Sequence, residues 1–351
     1  HLRAEALSVR VGYASAIGSH VGMVRSNNQD SAFAGNRLFL VADGMGGHAG
    51  GDVASALTAK AMSRLDPGYE ADAARAAAAR DDDARSDGAA HGAPTTPITI
   101  DPLTAPPHDP GPATRELREA LLRTNRMLRS TVGDRPELSG MGTTFTGFMT
   151  VEDQLAIAHI GDSRLYLLRD GKLRQITKDH TFVQRLVDSG RITEEEAKTH
   201  PRRSVLMRVL GDVDSSPEID TLVQDTRPGD VWLLCSDGLC GYVEDPDIEK
   251  ILLRRDSLQG AVEGLIDKSL AHGAPDNVTV VLVETVAEPL AREALPGRRF
   301  AGSATTEAAE DEIATTARTR LLSRCRAIRR VQPVAESHFE PRVDEYLNEL
   351  I

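Results

Sequence analysis

The chain has 351 residues, of which 40% are hydrophobic and only 4% aromatic, and its formal net charge at pH 7 is −12. This length suits one large domain, or one domain with appendages, around a core of mainly aliphatic side chains. The acidic surface repels nucleic acids and anionic membranes, so a positive site is expected only where bound metal ions supply the charge.

The first predicted segment, residues 8–65, reads as strand, turn, strand and helix. The apolar run RLFLVA at 37–42 predicts a short buried strand, and DVASALTAKAMSRL at 52–65 has its apolar residues at helical spacing. Asp52 is the expected N-cap of that helix. Between strand and helix lie Asp43 and then five glycines within eight residues, a composition that allows close approach of the backbone to another group.

Residues 66–113 differ from their surroundings in composition. Ala, Asp and Pro dominate this stretch, and large apolar side chains are almost absent. Such a segment cannot bury enough surface to offset the entropy that its ordering would cost. We interpret it as a flexible insertion between two helices of one domain, since neither side alone makes a complete unit.

The second half of the chain begins with a predicted amphipathic helix, RELREALLRTNRMLRS, at 115–130. Six predicted strands follow, at 143–151, 154–161, 164–170, 172–177, 231–239 and 277–285. The Asp-Gly pair at 170–171 is typical of an antiparallel hairpin. A mostly helical excursion over about 180–216, and two further helical stretches at 247–255 and 258–271, interrupt the strands.

Clusters of strands separated by helix pairs predict an α+β protein with antiparallel sheets covered by helices, rather than an alternating parallel sheet. The sequence turns polar again after Glu284, so the domain is expected to end at about residue 285. Residues 286–351 read as a polar tail. Its segment ARTRLLSRCRAIRR, at 317–330, is either a solvated helix or a docking or anion-binding helix.

Cysteine usage and hydropathy favour a cytoplasmic location. Only three cysteines occur, and their spacing matches neither a zinc site nor a disulfide framework. The first thirty residues lack the apolar core of a signal peptide, and no stretch approaches the ~20 apolar residues of a membrane helix. We expect a monomer without nucleic-acid partners and without a membrane span in this chain.

Several aspartates lie at the rims of predicted strands. They are Asp30, Asp43, Asp162, Asp237 and Asp276. Any one of them alone is typical of a turn or a helix cap. Antiparallel strands can bring their ends together, however, and clustered carboxylates raise one another's pKa unless a divalent cation neutralises them. Oxygen ligands without His or Cys favour hard ions such as Mg²⁺ or Mn²⁺.

The glycine-rich stretch GMGGHAGG after Asp43 admits two interpretations. It can offer a backbone carbonyl, that of Gly44, to the same cation. It can instead cradle a nucleotide phosphate, but it lacks the Gly-Lys-Ser/Thr ending of a P-loop and the spacing of a dinucleotide-binding turn. A nucleotide-binding enzyme is therefore the weaker alternative.

An ordered set of motifs carries a family resemblance. The motifs are VRSNNQD (24–30), VADGMGGHAGG (41–51), GMGTTF (140–145), HIGDSRLYLLRDG (159–171), RSVLMRVLG (203–211), LLCSDGL (233–239) and GAPDNVTVV (273–281). Over roughly residues 8–285 the chain resembles metal-dependent (type 2C) serine/threonine protein phosphatases, most closely the bacterial ones with a helical flap. The resemblance implies a four-layer α-β-β-α sandwich, in which helix pairs flank two antiparallel sheets and a metal site lies at one end.

The resemblance also implies roles for individual residues. Asp43 would bridge two Mg²⁺ or Mn²⁺ ions, and Asp237 and Asp276 would complete the first site. The Gly44 carbonyl would help to hold the second ion, and Asp30 would act through metal-bound water.

The same resemblance implies roles for two further residues. Arg25 would grip the substrate phosphate, or else form a surface ion pair. Asp162 would hold a third, weaker ion, or else be a turn residue at a strand end.

The chain departs from the family pattern at two positions. Members often carry Glu where this chain has Gln29. Animal members carry a histidine, a candidate leaving-group acid, where this chain has Met45. His48 and a metal-bound water are the two candidates for that acid here.

The implied reaction is the hydrolysis of phosphoserine or phosphothreonine esters on proteins by a metal-bridging water, in opposition to bacterial Ser/Thr kinases. Ser163 and Ser236 adjoin candidate ligands but have no base beside them in the sequence, so neither is the expected nucleophile. The alternative from another class is a pseudophosphatase that binds phosphoproteins without turnover, and the complete carboxylate set argues against it. The flap at about 180–216 is expected to shape which phosphoproteins enter.

Overall fold

The computed structural model of the chain describes residues 10–68, 111–211, 216–287 and 298–305. Most of the insertion predicted at 66–113 lies outside the described residues, as does the Arg-rich segment predicted at 317–330. The described residues all belong to one compact unit, which runs to Thr305. Within them, no helix combines the length and the hydropathy that crossing a membrane requires.

Two antiparallel sheets form the two inner layers of the fold. The first contains, in spatial order, β1 (Val11–His20), β12 (Val278–Ala287), β11 (Val231–Cys235), β7 (Arg164–Arg169) and β8 (Lys172–Gln175). The second contains β10 (Asp220–Asp225), β6 (Gln154–Ile160), β5 (Phe145–Val151), β3 (Leu38–Met45), β2 (Asp30–Ala34) and β13 (Arg299–Gly302). Two short strands, β4 (Gly142–Thr143) and β9 (Leu210–Gly211), continue from the end of β3. Every pairing between the described strands is antiparallel, as the sequence predicts.

Strand β11 shows why both faces of the first sheet are covered. Trp232 and Leu234 lie in the core between the two sheets. Val231, Leu233 and Cys235 lie in a second core, on the outer face of the same sheet. Because successive side chains of a strand point to opposite faces, a strand that is apolar at every position needs an apolar layer on each side.

Helices supply the two outer layers. In chain order they are α1 (Gly47–Ser63), α2 (Gly111–Asp134), α3 (Phe182–Asp188), α4 (Glu194–Thr199), α5 (Asp237–Cys240), α6 (Asp245–Leu253) and α7 (Leu258–Ala271). Helices α1 and α2 pack on the second sheet, and α6 and α7 join the outer core of the first sheet. The predicted four-layer α-β-β-α sandwich is therefore confirmed.

Helix α1 begins inside the glycine-rich stretch, at Gly47, rather than after Asp52. The prediction of Asp52 as the N-cap was wrong: the residue before the helix is Gly46, whose φ of 119° suits glycine. Close packing explains the early start, because a Cβ on Gly44 would lie 1.9 Å from the carbonyl oxygen of Gly51. This contact between the strand end and the first turns of the helix overrides the low helix propensity of glycine.

The described fold extends past the boundary expected at residue 285. Strand β12 continues to Ala287, and β13 with a 3₁₀ turn at Ser303–Thr305 adds an edge strand beside β2. A strand of four residues is too short for hydrophobic periodicity to reveal, and its surroundings are polar in composition. The compact unit therefore includes part of what the sequence predicts as a tail.

Candidate metal centre

The five predicted aspartates meet at one end of the sandwich, and we call Asp30, Asp43, Asp162, Asp237 and Asp276 the aspartate cluster. Strands β2 and β3 pair so that Asp30 lies opposite Asp43. Asp162 follows β6, Asp237 opens α5 directly after β11, and Asp276 precedes β12. The charges of these side chains influence one another's ionisation, so the structure brings together all five residues that the sequence singles out.

Burial and mutual repulsion raise the pKa values in the aspartate cluster. Removal from water is the main reason that the pKa of Asp30 rises to about 7, and the charges of Asp237 and Asp276 add to the rise. The pKa of Asp237 rises to about 6, again from burial first and then from Asp276. Burial also raises the pKa values of Asp43 and Asp162 well above the ordinary range. A divalent cation is the counter-charge that such a cluster calls for.

The donor set fits a divalent ion on two counts. Oδ1 of Asp30 and Oδ1 of Asp237 are enclosed and have no hydrogen-bond partner, which is costly for a buried carboxylate. The ligands are all oxygen atoms, the type that Mg²⁺ and Mn²⁺ prefer. Among the described residues, no three His, Cys, Asp or Glu side chains stand as a ready coordination set. The aspartate cluster therefore has the oxygen-only composition and the unpaired buried oxygens that suit a divalent cation.

Hydrogen bonds fix the backbone around Asp43. Its N–H donates to Thr144 Oγ1, and its carbonyl oxygen accepts from the Thr143 hydroxyl and the Thr144 N–H, all at 2.9 Å. Thr144 Oγ1 lies 2.8 Å from the Oγ of Ser163, the residue after Asp162. The GMGTTF motif therefore ties the end of β3 to the loop that carries Asp162.

Ser236 supports Asp30 from the facing sheet. Its Oγ donates to Asp30 Oδ2 at 2.7 Å and accepts the N–H of Thr279 at 3.0 Å. The serine does have a carboxylate partner, which its sequence neighbourhood could not reveal, but it is completely buried. Ser236 therefore positions Asp30 and is not an exposed nucleophile.

Asn277 joins the loop before β2 to the loop before β12. Its Oδ1 accepts the N–H of Gln29 at 2.8 Å, and its Nδ2 donates to the carbonyl groups of Val21 and Asn27 at 2.8 and 3.0 Å. The carbonyl of Gln29 in turn accepts the N–H of Gly44 at 3.1 Å. Asn277 is not among the residues predicted from the sequence, although its place inside the motif GAPDNVTVV is a signal that points to it.

Arg25 lies at the edge of the aspartate cluster. Its Nη2 is 2.7 Å from Asp276 Oδ2, and the two side chains are 49% and 30% exposed. This hydrogen bond raises the pKa of Arg25, and the charges of Asp43 and Asp237 add to the effect. The ion pair that the sequence leaves as an alternative is therefore present, in a position where a phosphate could replace the carboxylate as the partner of the guanidinium.

The predicted flap is attached to the site at both ends. At its start, the His180 N–H donates to the Gly161 carbonyl at 2.7 Å, and the Gly161 N–H donates to His180 Nδ1 at 3.1 Å. Gly161 directly precedes Asp162. At its end, β9 pairs with β4, which pairs with Gly44 and Met45 at the end of β3.

The leaving-group acid stays a prediction. His48 lies in the first turn of α1, and its side chain is outside the described residues. Met45, at the position where animal members carry the histidine, ends β3 and is 38% exposed.

Comparison with known proteins decides the family. A sequence profile described as Protein phosphatase 2C matches residues 18–271. The chain belongs to the protein phosphatase 2C family. Among protein phosphatase 2C relatives, the serine/threonine protein phosphatase PstP of Mycobacterium tuberculosis is 38% identical over 327 residues, which cover 92% of this chain and 54% of PstP. The chain therefore spans about half the length of that relative.

Two other similarities cover nearly the whole of the protein compared. The serine/threonine phosphatase stp of Listeria monocytogenes is 34% identical over 268 residues, which cover 75% of this chain and 92% of stp. A crystal structure of the catalytic domain of PstP in complex with two manganese ions has a TM-score of 0.61 and 39% identity, and the match covers 79% of this chain and 99% of that domain. The predicted membership of the protein phosphatase 2C family is confirmed.

Proposed function

We propose that this chain hydrolyses phosphoserine and phosphothreonine esters on proteins in a reaction that depends on Mn²⁺ or Mg²⁺. The observation that carries the proposal is the aspartate cluster, with enclosed and unpaired oxygens on Asp30 and Asp237. The names of the relatives, and the two manganese ions of the PstP catalytic domain, support it.

Each residue of the site has a distinct part in the proposed reaction. Bound divalent ions would activate water and neutralise charge on the phosphoryl group. Asp43, Asp237 and Asp276 would hold the ions, with help from the Gly44 carbonyl, and Asp162 would hold a third. Asp30, fixed by its bond to Ser236, would orient water by accepting a hydrogen bond. Arg25 would leave Asp276 and donate charge-assisted hydrogen bonds to the substrate phosphate.

A phosphatase assay tests the proposal against the pseudophosphatase alternative. The full chain with Mn²⁺ is expected to release phosphate from a phosphothreonine peptide and from para-nitrophenyl phosphate. Chelation with EDTA is expected to stop the release, and added Mn²⁺ is expected to restore it. Binding of the phosphopeptide without release under any metal would favour the pseudophosphatase, and release that EDTA does not affect would contradict metal dependence.

Arg25→Ala is expected to raise KM for the phosphopeptide about 10-fold, because loss of one charge-assisted hydrogen bond costs roughly 1.5–3 kcal/mol. The value of kcat is expected to change much less, since all five carboxylates of the aspartate cluster are retained. A suitable control is Arg135→Ala, which removes another partly exposed ion pair, that with Glu137. If KM is unchanged in Arg25→Ala, Arg25 forms a surface ion pair and does not bind the substrate phosphate.

We further propose that the protein is a cytoplasmic monomer that acts in bacterial signal transduction, on Ser/Thr kinases or on the targets of those kinases. Cys235 and Cys240 are free thiols, which suits a reducing compartment. The named relatives are bacterial Ser/Thr phosphatases, and the net charge of −12 disfavours nucleic-acid partners. Phosphoproteomics of cells that carry the active protein or an inactive variant would identify the substrates.

A further inference from the structure

The segment Arg298–Thr305, which we call the strap, lies beyond the region 18–271 that the family profile matches. Its strand β13 pairs antiparallel with β2, with Gly302 opposite Ser31. Strand β2 begins at Asp30 and pairs on its other side with β3. The strap is therefore the direct neighbour of the strand that carries one member of the aspartate cluster.

The strap contacts the backbone at Asp30 and just before it. Ser303 Oγ donates a hydrogen bond to the carbonyl of Asn28. Gly302 runs so close to Asp30 that a Cβ would lie 2.1 Å from the Asp30 carbonyl oxygen. From the other direction, Asn28 Nδ2 donates to Ser19 Oγ at 2.8 Å, and the Asp30 N–H donates to Asn28 Oδ1 at 3.1 Å. The turn that leads into Asp30 is therefore held between β1 and the strap.

Buried contacts anchor the strap at its other end. Arg298 Nε donates to Asp66 Oδ2 at 2.6 Å, and the Asp66 side chain is completely buried. The same carboxylate accepts three backbone N–H groups from the turn between β2 and β3. The rings of Phe300 and Phe33 add a contact with centroids 4.9 Å apart. Because a buried carboxylate requires a counter-charge, Arg298 is an integral part of this end of the sandwich.

We propose that the strap is a positioning element of the metal centre, and this inference rests on the proposed phosphatase function. By fixing the backbone of Asp30, the strap keeps Oδ2 in its hydrogen bond with Ser236 and fixes the position of the enclosed, unpaired Oδ1. The strap acts through Asp30, and the hydrogen bonds described above join it to Asn28 and Asp66 rather than to Arg25. A substitution that disturbs the contact between the strap and Asp30 should therefore weaken Mn²⁺ binding and lower kcat, while KM for a phosphopeptide stays the same.

Gly302→Ala in the full chain tests the proposal, with Gly171→Ala as the matched control. The two glycines have φ values of 70° and 76°, so both variants carry similar backbone strain. A Cβ at Gly171 meets nothing within 4 Å, whereas a Cβ at Gly302 meets Asp30. We expect Gly302→Ala to lower the affinity for Mn²⁺, measured by calorimetry, about 10-fold. The value of kcat is also expected to fall about 10-fold. Gly171→Ala is expected to change neither.

A second pair of variants separates positioning from stability. Ser303→Ala removes the hydroxyl that bonds to Asn28, and Ser303→Thr keeps it. We expect Mn²⁺ affinity to fall in the alanine variant and to recover in the threonine variant, at temperatures where both are folded. Wild-type Mn²⁺ affinity and kcat in both Gly302→Ala and Ser303→Ala would overturn the strap proposal. The two proposals can fail separately. If the wild-type chain releases no phosphate but the strap variants still bind Mn²⁺ more weakly than it does, the positioning role of the strap is supported and only the proposed phosphatase function is contradicted.

Discussion

Asp43→Asn is expected to lower kcat for a phosphothreonine peptide at least about 1,000-fold, because the loss of metal-based charge stabilisation costs several kcal/mol. The same change is expected to leave the metal-free fold as stable as before or more stable. Asp43 stands among four other carboxyls, and burial and their charges hold its pKa well above the ordinary range. The backbone bonds of Asp43 to Thr143 and Thr144 do not involve its carboxylate, so the strand end survives the substitution.

Three measurements check this expectation. They are kcat with saturating Mn²⁺, Mn²⁺ affinity by calorimetry, and the melting temperature in EDTA. Asp267→Asn, at an exposed position of α7, is the matched control and is expected to behave as the wild type. Normal turnover in Asp43→Asn would contradict the role of Asp43 as the shared ligand. A collapse of the metal-free fold would show instead that the carboxylate is structural.

The aspartate cluster could be predicted because each of its members lies next to a run of apolar residues in the sequence. Apolar strands are local signals, and antiparallel sheets bring several strand ends to one edge. The hydrogen bonds that support the cluster could not be predicted in this way, because their partners lie far apart in the chain. Ser236 and Asp30 are 206 positions apart, and Thr144 and Asp43 are 101 apart, so only the folded chain reveals these hydrogen bonds.

Two differences between the predicted and the observed structure have a common cause. Asp52 fits the preference for a helix N-cap, but the contact between Gly44 and Gly51 starts the helix earlier. The strand at Arg299–Gly302 is short and polar in its surroundings, and its pairing with β2 comes from partners far away in the chain. In both places contacts between residues far apart in the chain determine the structure, so the helix and strand propensities of neighbouring residues could not predict it.

The stability of the metal-free protein is expected to fall as the pH rises from about 4 to about 7. The carboxyl of an unfolded aspartate titrates near pH ~3.9, whereas the pKa is about 7 for Asp30 and about 6 for Asp237 in the folded chain. Between these values the folded state binds more protons than the unfolded state, so the contribution of these two carboxyls to the free energy of unfolding decreases with rising pH and levels off above about pH 7. The effect of the two groups together is on the order of several kcal/mol.

One histidine acts in the opposite direction. Burial lowers the pKa of His159 to about 4, so this group adds stability as the pH rises toward its unfolded value of ~6.5. The pKa values of four carboxyls, those of Glu137, Asp188, Glu196 and Asp247, are also lowered, mainly by hydrogen bonds, but solvent screens these exposed groups. Since the pKa values of Asp43 and Asp162 are raised like those of Asp30 and Asp237, the four buried carboxyls outweigh these opposing groups, and the net change is a fall. Asp30→Asn removes one carboxyl and is expected to flatten the pH dependence.

Urea denaturation in EDTA and in Mn²⁺, repeated across this pH range, measures the effect. Mn²⁺ binds the ionised carboxylates, so it is expected to stabilise the folded chain increasingly as the pH rises and to cancel or reverse the fall. A metal-free stability that stays level or increases between about pH 4 and about pH 7 would contradict the raised pKa values of the aspartate cluster. If the fall occurs but Mn²⁺ leaves it unchanged, the carboxylates are close together without forming a site for this ion.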